Sequence, residues 1–434
     1  MKIEASKINQ KGHLMFGGLD TVELAKKYGT PVYIYDVSMI RHNCRAFVDS
    51  FKKQQVAFQV AYASKAFSSI AMMQVAKQEG MSIDVVSEAE LYTALQAGFP
   101  VERIHMHGNN KSEAELEMAI TNRIGCIVID NFYEITLLDR LLRKHDCQMD
   151  VLIRVTPGIE SETHKYIMTG NVDSKFGFSI QNGQAEQAFL QLQHHDYIQL
   201  KGLHCHIGSQ IFDSDRFIMA AEILFDELRD WNQKYGFVSE VLNLGGGFGI
   251  RYTSSDKPLP LEVYAEEIVK ALKQYWDGVD FPFPEIWIEP GRSIVGEAGM
   301  TLYTVGSMKD IPGIRRYVAV DGGMADNIRP ALYEAEYECI VANKADQPDR
   351  EVVSIAGKCC ESGDMLIKDI ALPDLEANDI IAVLATGAYG YSMASHYNRF
   401  ANAPVVFLEN GVDHLVVRGE TYKDVVRNDL PYEE

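Results

Sequence analysis

The sequence has no uninterrupted apolar stretch near the length of about 20 residues that a membrane-spanning helix needs. Its first six residues lead straight into polar sequence, without a charged and then apolar leader. It also has no excess of positive charge, because 41 Lys and Arg residues stand against 61 Asp and Glu residues, for a formal net charge of −20. Nucleic acids and anionic membranes are bound through a basic footprint, so neither is expected as a partner. We expect a cytoplasmic protein.

Cysteine motifs are missing as well. The seven cysteines are odd in number, and none is arranged as Cys-x-x-Cys. This pattern is typical of reduced thiols and argues against a disulfide framework or a structural zinc site. The G-x-G-x-x-G fingerprint at the start of a strand-helix-strand unit is also absent, which argues against dinucleotide binding.

The composition is that of an ordinary globular protein, with 47% hydrophobic and 24% charged residues in a chain of 434. From about Val32 onward, short apolar runs alternate with stretches of helical periodicity, such as 88–97, 114–120 and 220–235. The predicted strands are 57–61, 82–86, 104–107, 126–129, 151–155, 200–206, 241–244 and 286–289. Eight such units over about 250 residues predict an α/β fold, a closed (β/α)8 TIM barrel of parallel strands. A doubly wound open sheet is the alternative.

A second domain is predicted after Gly296, where the alternation ends. Short β-rich runs follow at 316–320, 352–356, 380–384, 405–408 and 414–417. Asn410-Gly411, between the last two runs, is typical of a two-residue hairpin turn. We therefore predict a barrel over residues 33–296 and a mostly antiparallel β domain over 297–434. Residues 1–32, with a short helix at 21–28, are predicted to contribute to the second domain.

Functional side chains of a barrel collect where its strands end. Lys65 follows the first predicted strand, in Tyr62-Ala63-Ser64-Lys65-Ala66. A lysine amine that is shielded from water there has a lowered pKa and forms an imine with a carbonyl compound. A solvated lysine that merely ends the strand is the alternative.

Two glycine-bearing segments follow the seventh and eighth predicted strands, Gly245-Gly246-Gly247 and Gly291-Arg292. The backbone N–H groups of such runs bind phosphate, and the phosphate site of a barrel usually lies in these two loops. A merely flexible turn is the alternative for three glycines. The arginine in the next loop favours a phosphate site.

Pairs of histidines two residues apart, His204 with His206 and His105 with His107, each lie on one face of a strand. Such a pair binds metals, but no third and fourth ligand of suitable spacing is apparent, so we expect no zinc site. An imidazole stacked on a planar ring is the alternative. Glu289, beside the phosphate loops, needs a cationic partner to stay ionised, and a protonated pyridine nitrogen would serve. With the lysine and the phosphate loops, these features describe pyridoxal phosphate.

The motifs resemble those of the diaminopimelate decarboxylases, within the barrel-type (fold type III) pyridoxal-phosphate enzymes that include alanine racemase and the ornithine and arginine decarboxylases. The barrel motifs are Tyr62-Ala63-Ser64-Lys65-Ala66, Asp84-Val85-Val86-Ser87, His107-Gly108-Asn109-Asn110-Lys111-Ser112, His206-Ile207-Gly208-Ser209-Gln210, Gly245-Gly246-Gly247 and Glu289-Pro290-Gly291-Arg292. Those of the second domain are Asp326-Asn327-Ile328-Arg329-Pro330-Ala331-Leu332-Tyr333, Cys360-Glu361-Ser362-Gly363-Asp364 and Gly387-Ala388-Tyr389-Gly390-Tyr391-Ser392. Ser87-Glu88-Ala89-Glu90 departs from the family, which usually has two glycines between Ser and Glu.

The resemblance implies a carboxy-lyase that converts meso-2,6-diaminopimelate to L-lysine and carbon dioxide, the last step of lysine biosynthesis, with pyridoxal 5'-phosphate as cofactor. Three residues have implied catalytic roles: Lys65 holds the cofactor as an aldimine, His206 stacks on its ring, and Cys360 donates a proton. The implied cofactor-binding residues are Lys65, Asp84, His206, Ser209, Gly245, Gly246, Gly247, Glu289, Pro290, Gly291, Arg292 and Tyr389. The implied substrate-binding residues are Arg292, Arg329, Tyr333, Glu361 and Tyr389. Relatives are usually homodimers in which the residues matching Cys360 and Glu361 reach into the partner's site.

Arg329 bears on the choice of substrate. Relatives that act on ornithine bind a distal ammonium with acids, whereas an arginine fork binds a carboxylate and repels an ammonium. The functional alternatives are a related ornithine-like or arginine-like decarboxylase, a racemase, which typically lacks the Cys360 segment, and a non-catalytic cofactor-binding or regulatory protein, which should have lost Lys65 or Cys360. A surface salt bridge between Arg329 and Glu361 is the structural alternative for those two residues.

Overall fold

The structure, a computed structural model, describes residues 7–159 and 174–432. The chain divides into two compact units. The barrel unit comprises Arg41–Ile250 and Pro258–Ile294, and the β unit comprises Met1–Ile40, Arg251–Lys257 and Val295–Glu434. The segment Arg251–Lys257 thus belongs to the β unit although barrel sequence flanks it on both sides.

The barrel unit is built on eight parallel strands. We number them barrel strands 1 to 8: Phe58–Ala63, Ser82–Val85, Ile104–Met106, Cys126–Ile129, Met149–Thr156, Ile198–His204, Val241–Asn243 and Glu285–Ile288. Each strand pairs with the next, and strand 8 pairs with strand 1. The barrel is therefore closed, which confirms the predicted fold and excludes the open sheet. All eight predicted strands are present, because strands buried on both faces have continuous apolar sequences.

The helices of the barrel unit follow its strands. They are Ile70–Gln78, Glu88–Gln96, Glu113–Thr121, Phe132–His145, Gln184–Leu192, Asp215–Tyr235 and Leu261–Tyr275. Helix Glu113–Thr121 begins with a capping box between Ser112 and Glu115 and buries Leu116 and Ile120 on one face. Helices Val37–Lys53 and Arg292–Val295 contain the points where the chain passes between the units. Among the described residues, no helix has the length and apolar content to cross a membrane.

The β unit contains a nine-stranded sheet. Its strands are Val32–Asp36, Gly299–Ile311, Arg315–Val320, Cys339–Val341, Glu351–Ala356, Met365–Leu372, Ile380–Val383, Val405–Glu409 and Val412–Val417. Two of its pairings are parallel, Arg315–Val320 with Glu351–Ala356 and Val32–Asp36 with Val405–Glu409, and the others are antiparallel. The mostly antiparallel domain is therefore confirmed. The unit also has a two-stranded ribbon, Met15–Phe16 with Leu19–Asp20, and the helices Thr21–Tyr28, Arg329–Tyr333 and Tyr422–Val426.

The last two strands of this sheet form the predicted hairpin. Glu409 pairs with Val412, so Asn410 and Gly411 are the two turn residues. Their φ angles are 53° and 74°. Positive φ at both positions is the geometry that makes Asn-Gly the preferred turn sequence.

Candidate active site

Lys65 lies in a short 3-10 helix, Ser64–Ala66, directly after barrel strand 1. The Tyr62 hydroxyl donates to the Phe67 carbonyl at 2.8 Å and fixes this turn. Ser64 and Ala66 are buried, but Lys65 itself is exposed. The expectation that Lys65 is shielded from water is therefore wrong for the isolated chain. Its amine is accessible at the carboxyl end of the barrel.

The two predicted phosphate loops lie beside this lysine. The Ala63 N–H donates to the Pro290 carbonyl at 3.1 Å, and a Cβ on Gly291 would lie 3.0 Å from the Ala63 carbonyl oxygen. Arg292 Nη2 donates to Ser209 Oγ at 2.9 Å. The structure thus brings Ser209, Gly291 and Arg292, as predicted, to the end of strand 1 that carries Lys65.

The glycine run is tightly packed rather than flexible. A Cβ on Gly246 would lie 2.1 Å from the Glu289 carbonyl oxygen, and one on Gly247 would lie 2.4 Å from that of Gly208. Gly247 also has φ +118°, which side chains rarely adopt. The flexible-turn alternative is therefore wrong. These loops approach one another so closely that only glycine fits.

The N–H groups of the run are partly used inside the protein. The Gly245 N–H donates to Asn243 Oδ1 at 2.9 Å, and the Gly246 N–H donates to His206 Nδ1 at 3.2 Å. The N–H of Gly247 has no partner among the described residues. Of the three, Gly247 is the residue whose N–H is available to a ligand.

Glu289 is a buried carboxylate with three side-chain partners. Asn243 Nδ2 donates to Oε1 at 2.6 Å, His107 Nε2 lies 3.3 Å from Oε1, and His204 Nε2 lies 3.1 Å from Oε2. Burial opposes ionisation, but the two histidines hold the pKa of the Glu289 carboxyl well below its usual value. Glu289 is therefore an anion even though it lies inside the barrel.

The two histidines beside Glu289 differ in charge. Burial disfavours the charged form of His107, but Glu289 and Asp84 outweigh it and raise the pKa of His107 to about 9. Burial lowers the pKa of His204 to about 4 despite its contact with Glu289. At neutral pH, His107 is therefore the cation and His204 a neutral partner. The sequence predicted that Glu289 needs a cationic partner to stay ionised, and His107 is such a partner within the protein.

Asp84, on barrel strand 2, lies beside this cluster. Its Oδ1 is 3.6 Å from His107 Nε2 and also 3.6 Å from His105 Nδ1. His105 stacks on Trp287 with ring centres 4.3 Å apart. Asp84 therefore adds a second negative charge that favours protonated His107.

One histidine of each sequence pair lies beside Glu289, instead of the two members of a pair lying together at one site. His107, His204 and Glu289 bring their ligand atoms within 4.8 Å of one another, so a third candidate metal ligand is present, contrary to the prediction. Both Glu289 oxygens already have hydrogen-bond partners in Asn243 and the histidines. We therefore interpret the cluster as a stabilised Glu289 carboxylate rather than as a metal site.

His206, predicted to stack on a cofactor ring, is half-buried at the end of barrel strand 6. Burial and the nearby charges of Lys65 and Arg154 keep the pKa of His206 well below its usual value. Because Nδ1 accepts from the Gly246 N–H, the neutral ring is held in one orientation. Stacking stays a prediction.

The β unit carries the remaining predicted residues. Arg329 is buried, Tyr333 and Tyr389 are half-buried, and Cys360 and Glu361 are exposed. Tyr389 has φ +60°, an uncommon conformation for a side chain as bulky as tyrosine. The predicted alternative of an Arg329–Glu361 salt bridge does not occur among the ion pairs of the described residues.

Cys359 and Cys360 have different environments. The Cys359 N–H donates to Asp364 Oδ2 at 2.7 Å, and burial raises the pKa of the Cys359 thiol to about 11. The Cys360 N–H donates to Asn398 Oδ1 at 2.7 Å. Of the two residues, Cys359 is buried and Cys360 is exposed. Asp364 and Asn398 thus fix the backbone that carries Cys360.

The family model described as "Pyridoxal-dependent decarboxylase, pyridoxal binding domain" matches residues 37–296. The diaminopimelate decarboxylase of Bacillus subtilis is 60% identical over 427 residues, which are 98% of this chain and 97% of the relative. The chain belongs to the diaminopimelate decarboxylase family.

Solved structures of this family have the same fold. That of diaminopimelate decarboxylase from M. jannaschii, in co-complex with L-lysine, is 33% identical with a TM-score of 0.91, covering 98% of this chain and 97% of that chain. That from Helicobacter pylori, complexed with L-lysine, is 31% identical with a TM-score of 0.85, covering 94% and 98%. The resemblance stated from the motifs is confirmed.

Sequence reasoning missed the roles of Asn243, His107 and His204 around Glu289. The sequence analysis assigned none of the three a contact with Glu289. The available signal was that all three stand at the carboxyl ends of barrel strands, as the recognised family residues do.

Replacing His107 by glutamine is expected to change how the stability of the cofactor-free protein depends on pH. The pKa of His107 is raised from 6.5 to about 9, so its stabilising contribution is complete below pH 6.5 and is lost as the pH rises to 9. Over that interval the unfolding free energy of the wild type should fall by up to about 3 kcal/mol more than that of His107→Gln. Denaturant unfolding followed by tryptophan fluorescence measures this, because Trp231, Trp276 and Trp287 all lie in the barrel unit.

The matched control is His145→Gln. His145 Nε2 lies 2.9 Å from Glu117 Oε1, but this pair is partly exposed. Its removal should leave the pH dependence close to that of the wild type. Identical pH profiles for the wild type and His107→Gln would contradict the assignment of the charge to His107.

Proposed function

We propose that this protein catalyses the decarboxylation of meso-2,6-diaminopimelate to L-lysine and carbon dioxide, the last step of lysine biosynthesis, in the cytoplasm. The observation that carries the proposal is the 60% identity, over 98% of the chain, to a protein named diaminopimelate decarboxylase. The barrel supports this proposal because Lys65, Arg292 and the buried carboxylate of Glu289 lie at one of its ends. These residues suit a cofactor that has both a pyridine ring and a phosphate ester.

Pyridoxal 5'-phosphate is the cofactor that we propose, and when bound it supplies the electron sink for the carboxylate-bearing carbon. Arg292, Ser209 and the Gly247 N–H offer donors for a phosphate, and Glu289 offers an anion for a protonated ring nitrogen. Lys65 offers the amine for the covalent link. The residues that we propose hold the cofactor are Lys65, Asp84, His206, Ser209, Gly245, Gly246, Gly247, Glu289, Pro290, Gly291, Arg292 and Tyr389.

For the substrate, we propose that an arginine recognises the carboxylate of the end that does not react. Arg329 is buried and charged, and no carboxylate of the described residues pairs with it. A guanidinium binds a carboxylate through two parallel hydrogen bonds and repels an ammonium. The proposed substrate-binding residues are Arg292, Arg329, Tyr333, Glu361 and Tyr389.

Cys360 is proposed to deliver the proton that replaces the lost carboxylate, from its Sγ. Its thiol is exposed, whereas Cys359 beside it is buried. An acid that acts on a substrate must be accessible and held in place, and the hydrogen bond from the Cys360 N–H to Asn398 holds it.

We also propose a homodimer with shared active sites. Tyr422, Leu430 and Tyr432 are 87%, 91% and 91% exposed, so these large side chains are available for contact with a second copy. Arg399 Nη2 donates to the Val425 carbonyl at 3.1 Å, and Asn398 next to it binds Cys360. The loop that contains Asn398 and Arg399 therefore contacts both Cys360 and the segment near the exposed Tyr422. A second copy that covers this surface would receive Cys360 and Glu361.

A carbon dioxide release assay across related amino acids tests the substrate. The wild type should release carbon dioxide from meso-diaminopimelate at least about tenfold faster than from ornithine or arginine, which present a cation to Arg329. Cys360→Ala should lower the rate by about 10²-fold or more, and Cys147→Ala, a half-buried cysteine, should leave it unchanged. Faster turnover of ornithine than of meso-diaminopimelate would refute the proposed substrate.

A further inference from the structure

The surroundings of Arg329 are unusual for a buried arginine. Arg329 begins the helix Arg329–Tyr333 and is only 6% exposed. Among the described residues, neither Asp nor Glu forms an ion pair with its guanidinium. Buried arginines are ordinarily paired with an acid, because an isolated charge is costly to remove from water. Something else must keep this guanidinium in place.

Two tyrosines surround it instead. Arg329 Nη1 donates to the Tyr337 hydroxyl, and the guanidinium carbon lies 4.7 Å from the ring centre of Tyr252 and 5.6 Å from that of Tyr337. The two rings meet edge to face, with their centres 5.3 Å apart. An aromatic face attracts a cation without cancelling its charge. Burial opposes the charge, but the two tyrosines raise the pKa of Arg329 above its usual value.

The backbone fixes both tyrosines independently of the arginine. The Tyr252 N–H donates to Asp256 Oδ2 at 2.9 Å, which closes the turn of the Arg251–Lys257 segment. The Ser254 N–H in the same turn donates to Glu338 Oε1 at 2.9 Å. Glu338 follows Tyr337, and its carbonyl accepts from the Leu384 N–H at 3.0 Å. The rings are therefore part of a rigid frame.

We propose that Tyr252 and Tyr337 are positioning residues for substrate specificity, which hold the Arg329 guanidinium in a fixed orientation with its charge available to a ligand carboxylate. This inference rests on the proposed function, in which Arg329 takes the carboxylate of the unreactive end. An acid in place of either tyrosine would orient the guanidinium equally well but would neutralise it. The aromatic frame gives orientation and leaves the charge for the ligand.

Two substitutions separate the hydroxyl from the ring in the holoenzyme. Tyr337→Phe removes the acceptor oxygen and keeps the ring, and Tyr252→Leu removes one aromatic face. Each should raise KM for meso-diaminopimelate by about tenfold and change kcat by less than about twofold, because the reacting end is not touched. A fall in kcat with unchanged KM would overturn the inference.

A pair of inhibitors makes the test specific for the carboxylate. L-Lysine and 1,5-diaminopentane differ only in the carboxylate that we assign to Arg329. In both variants the inhibition constant of L-lysine should rise by about tenfold, while that of 1,5-diaminopentane should stay within about twofold. If both constants rise together, the tyrosines support the fold in general and the inference is wrong.

Tyr317→Leu is the matched control. Arg315 also lies over a tyrosine ring, that of Tyr317, at 5.9 Å, but it pairs with Asp369 at 3.0 Å. This substitution should change neither inhibition constant. If the wild type releases no carbon dioxide from meso-diaminopimelate, the proposed reaction fails. Selective loss of L-lysine binding in the Tyr337 and Tyr252 variants would then still support the positioning of Arg329.

Discussion

Replacing Lys65 with alanine is expected to lower the rate of carbon dioxide release by more than about 10³-fold, because the variant loses both the amine for the covalent link and a nearby proton carrier. Lys65 is exposed in the turn after barrel strand 1, beside Gly291 and Arg292. Lys65→Arg should be equally inactive, since it keeps the charge but has no primary amine. Turnover and the visible absorption of the bound cofactor measure both effects.

Other lysines of the chain provide the control for this prediction and the comparison that would contradict it. Lys201→Ala removes a lysine in the middle of strand 6 that is paired at 3.0 Å with Glu240, and it should leave turnover unchanged. Reduction of the holoenzyme with borohydride, followed by peptide mapping, should label Lys65. Lys111 is not expected to react, because it is buried and lies 2.7 Å from Glu134. A label on any lysine other than Lys65 would refute the assignment.

The barrel strands could be predicted because of how they are buried. A parallel strand covered on both faces is a continuous apolar run, such as Cys-Ile-Val-Ile at Cys126–Ile129. Strand Gly299–Ile311 of the β unit was not predicted, since it is buried in its first half, largely exposed in its second, and irregular between Val305 and Met308. Met365–Leu372 was missed for a similar reason, because its buried and exposed residues do not alternate. Strands whose burial changes along their length, or whose pairing is irregular, lose the regular period on which sequence reasoning depends.

The candidate site was predictable where function requires particular residue types at strand ends. Ser209 lies in the loop after strand 6, and Glu289 and Arg292 follow strand 8, so the closed barrel brings them to the same end. The contact of His107 with Glu289 depends on which side chains meet inside the barrel, strand 3 against strand 8. Spacing along the sequence describes only neighbours on one strand, so it gave no sign of this contact between strands.

The frame around Arg329 was beyond sequence reasoning for a different reason. Tyr252 comes from a seven-residue segment that interrupts the barrel sequence, and Tyr337 precedes a strand that was not predicted. No local period links either residue with Arg329. Only the packing of the β unit shows that the guanidinium of Arg329 is held by aromatic rings rather than by an acid.

A dimer that combines two inactive chains is expected to recover activity. If Cys360 acts in the partner's site, a hybrid of a Lys65→Ala chain and a Cys360→Ala chain contains one site with both residues intact and one with neither. The purified hybrid, isolated through two different tags after coexpression, should therefore have about half of the wild-type activity per dimer. The exposed Cys360 thiol and the exposed Tyr422, Leu430 and Tyr432 are the reason to expect this sharing.

The matched control hybrid combines Lys65→Ala with Glu289→Gln. Both residues lie in the barrel unit, so they serve the same site and neither site of this hybrid is intact. It should stay as inactive as the parent variants. Recovery in the first hybrid alone assigns Cys360 to the partner's barrel, because the two hybrids differ only in which residue the second chain lacks. A first hybrid without activity would mean that Cys360 serves the barrel of its own chain, and the shared site would then be wrong even if the protein were a dimer.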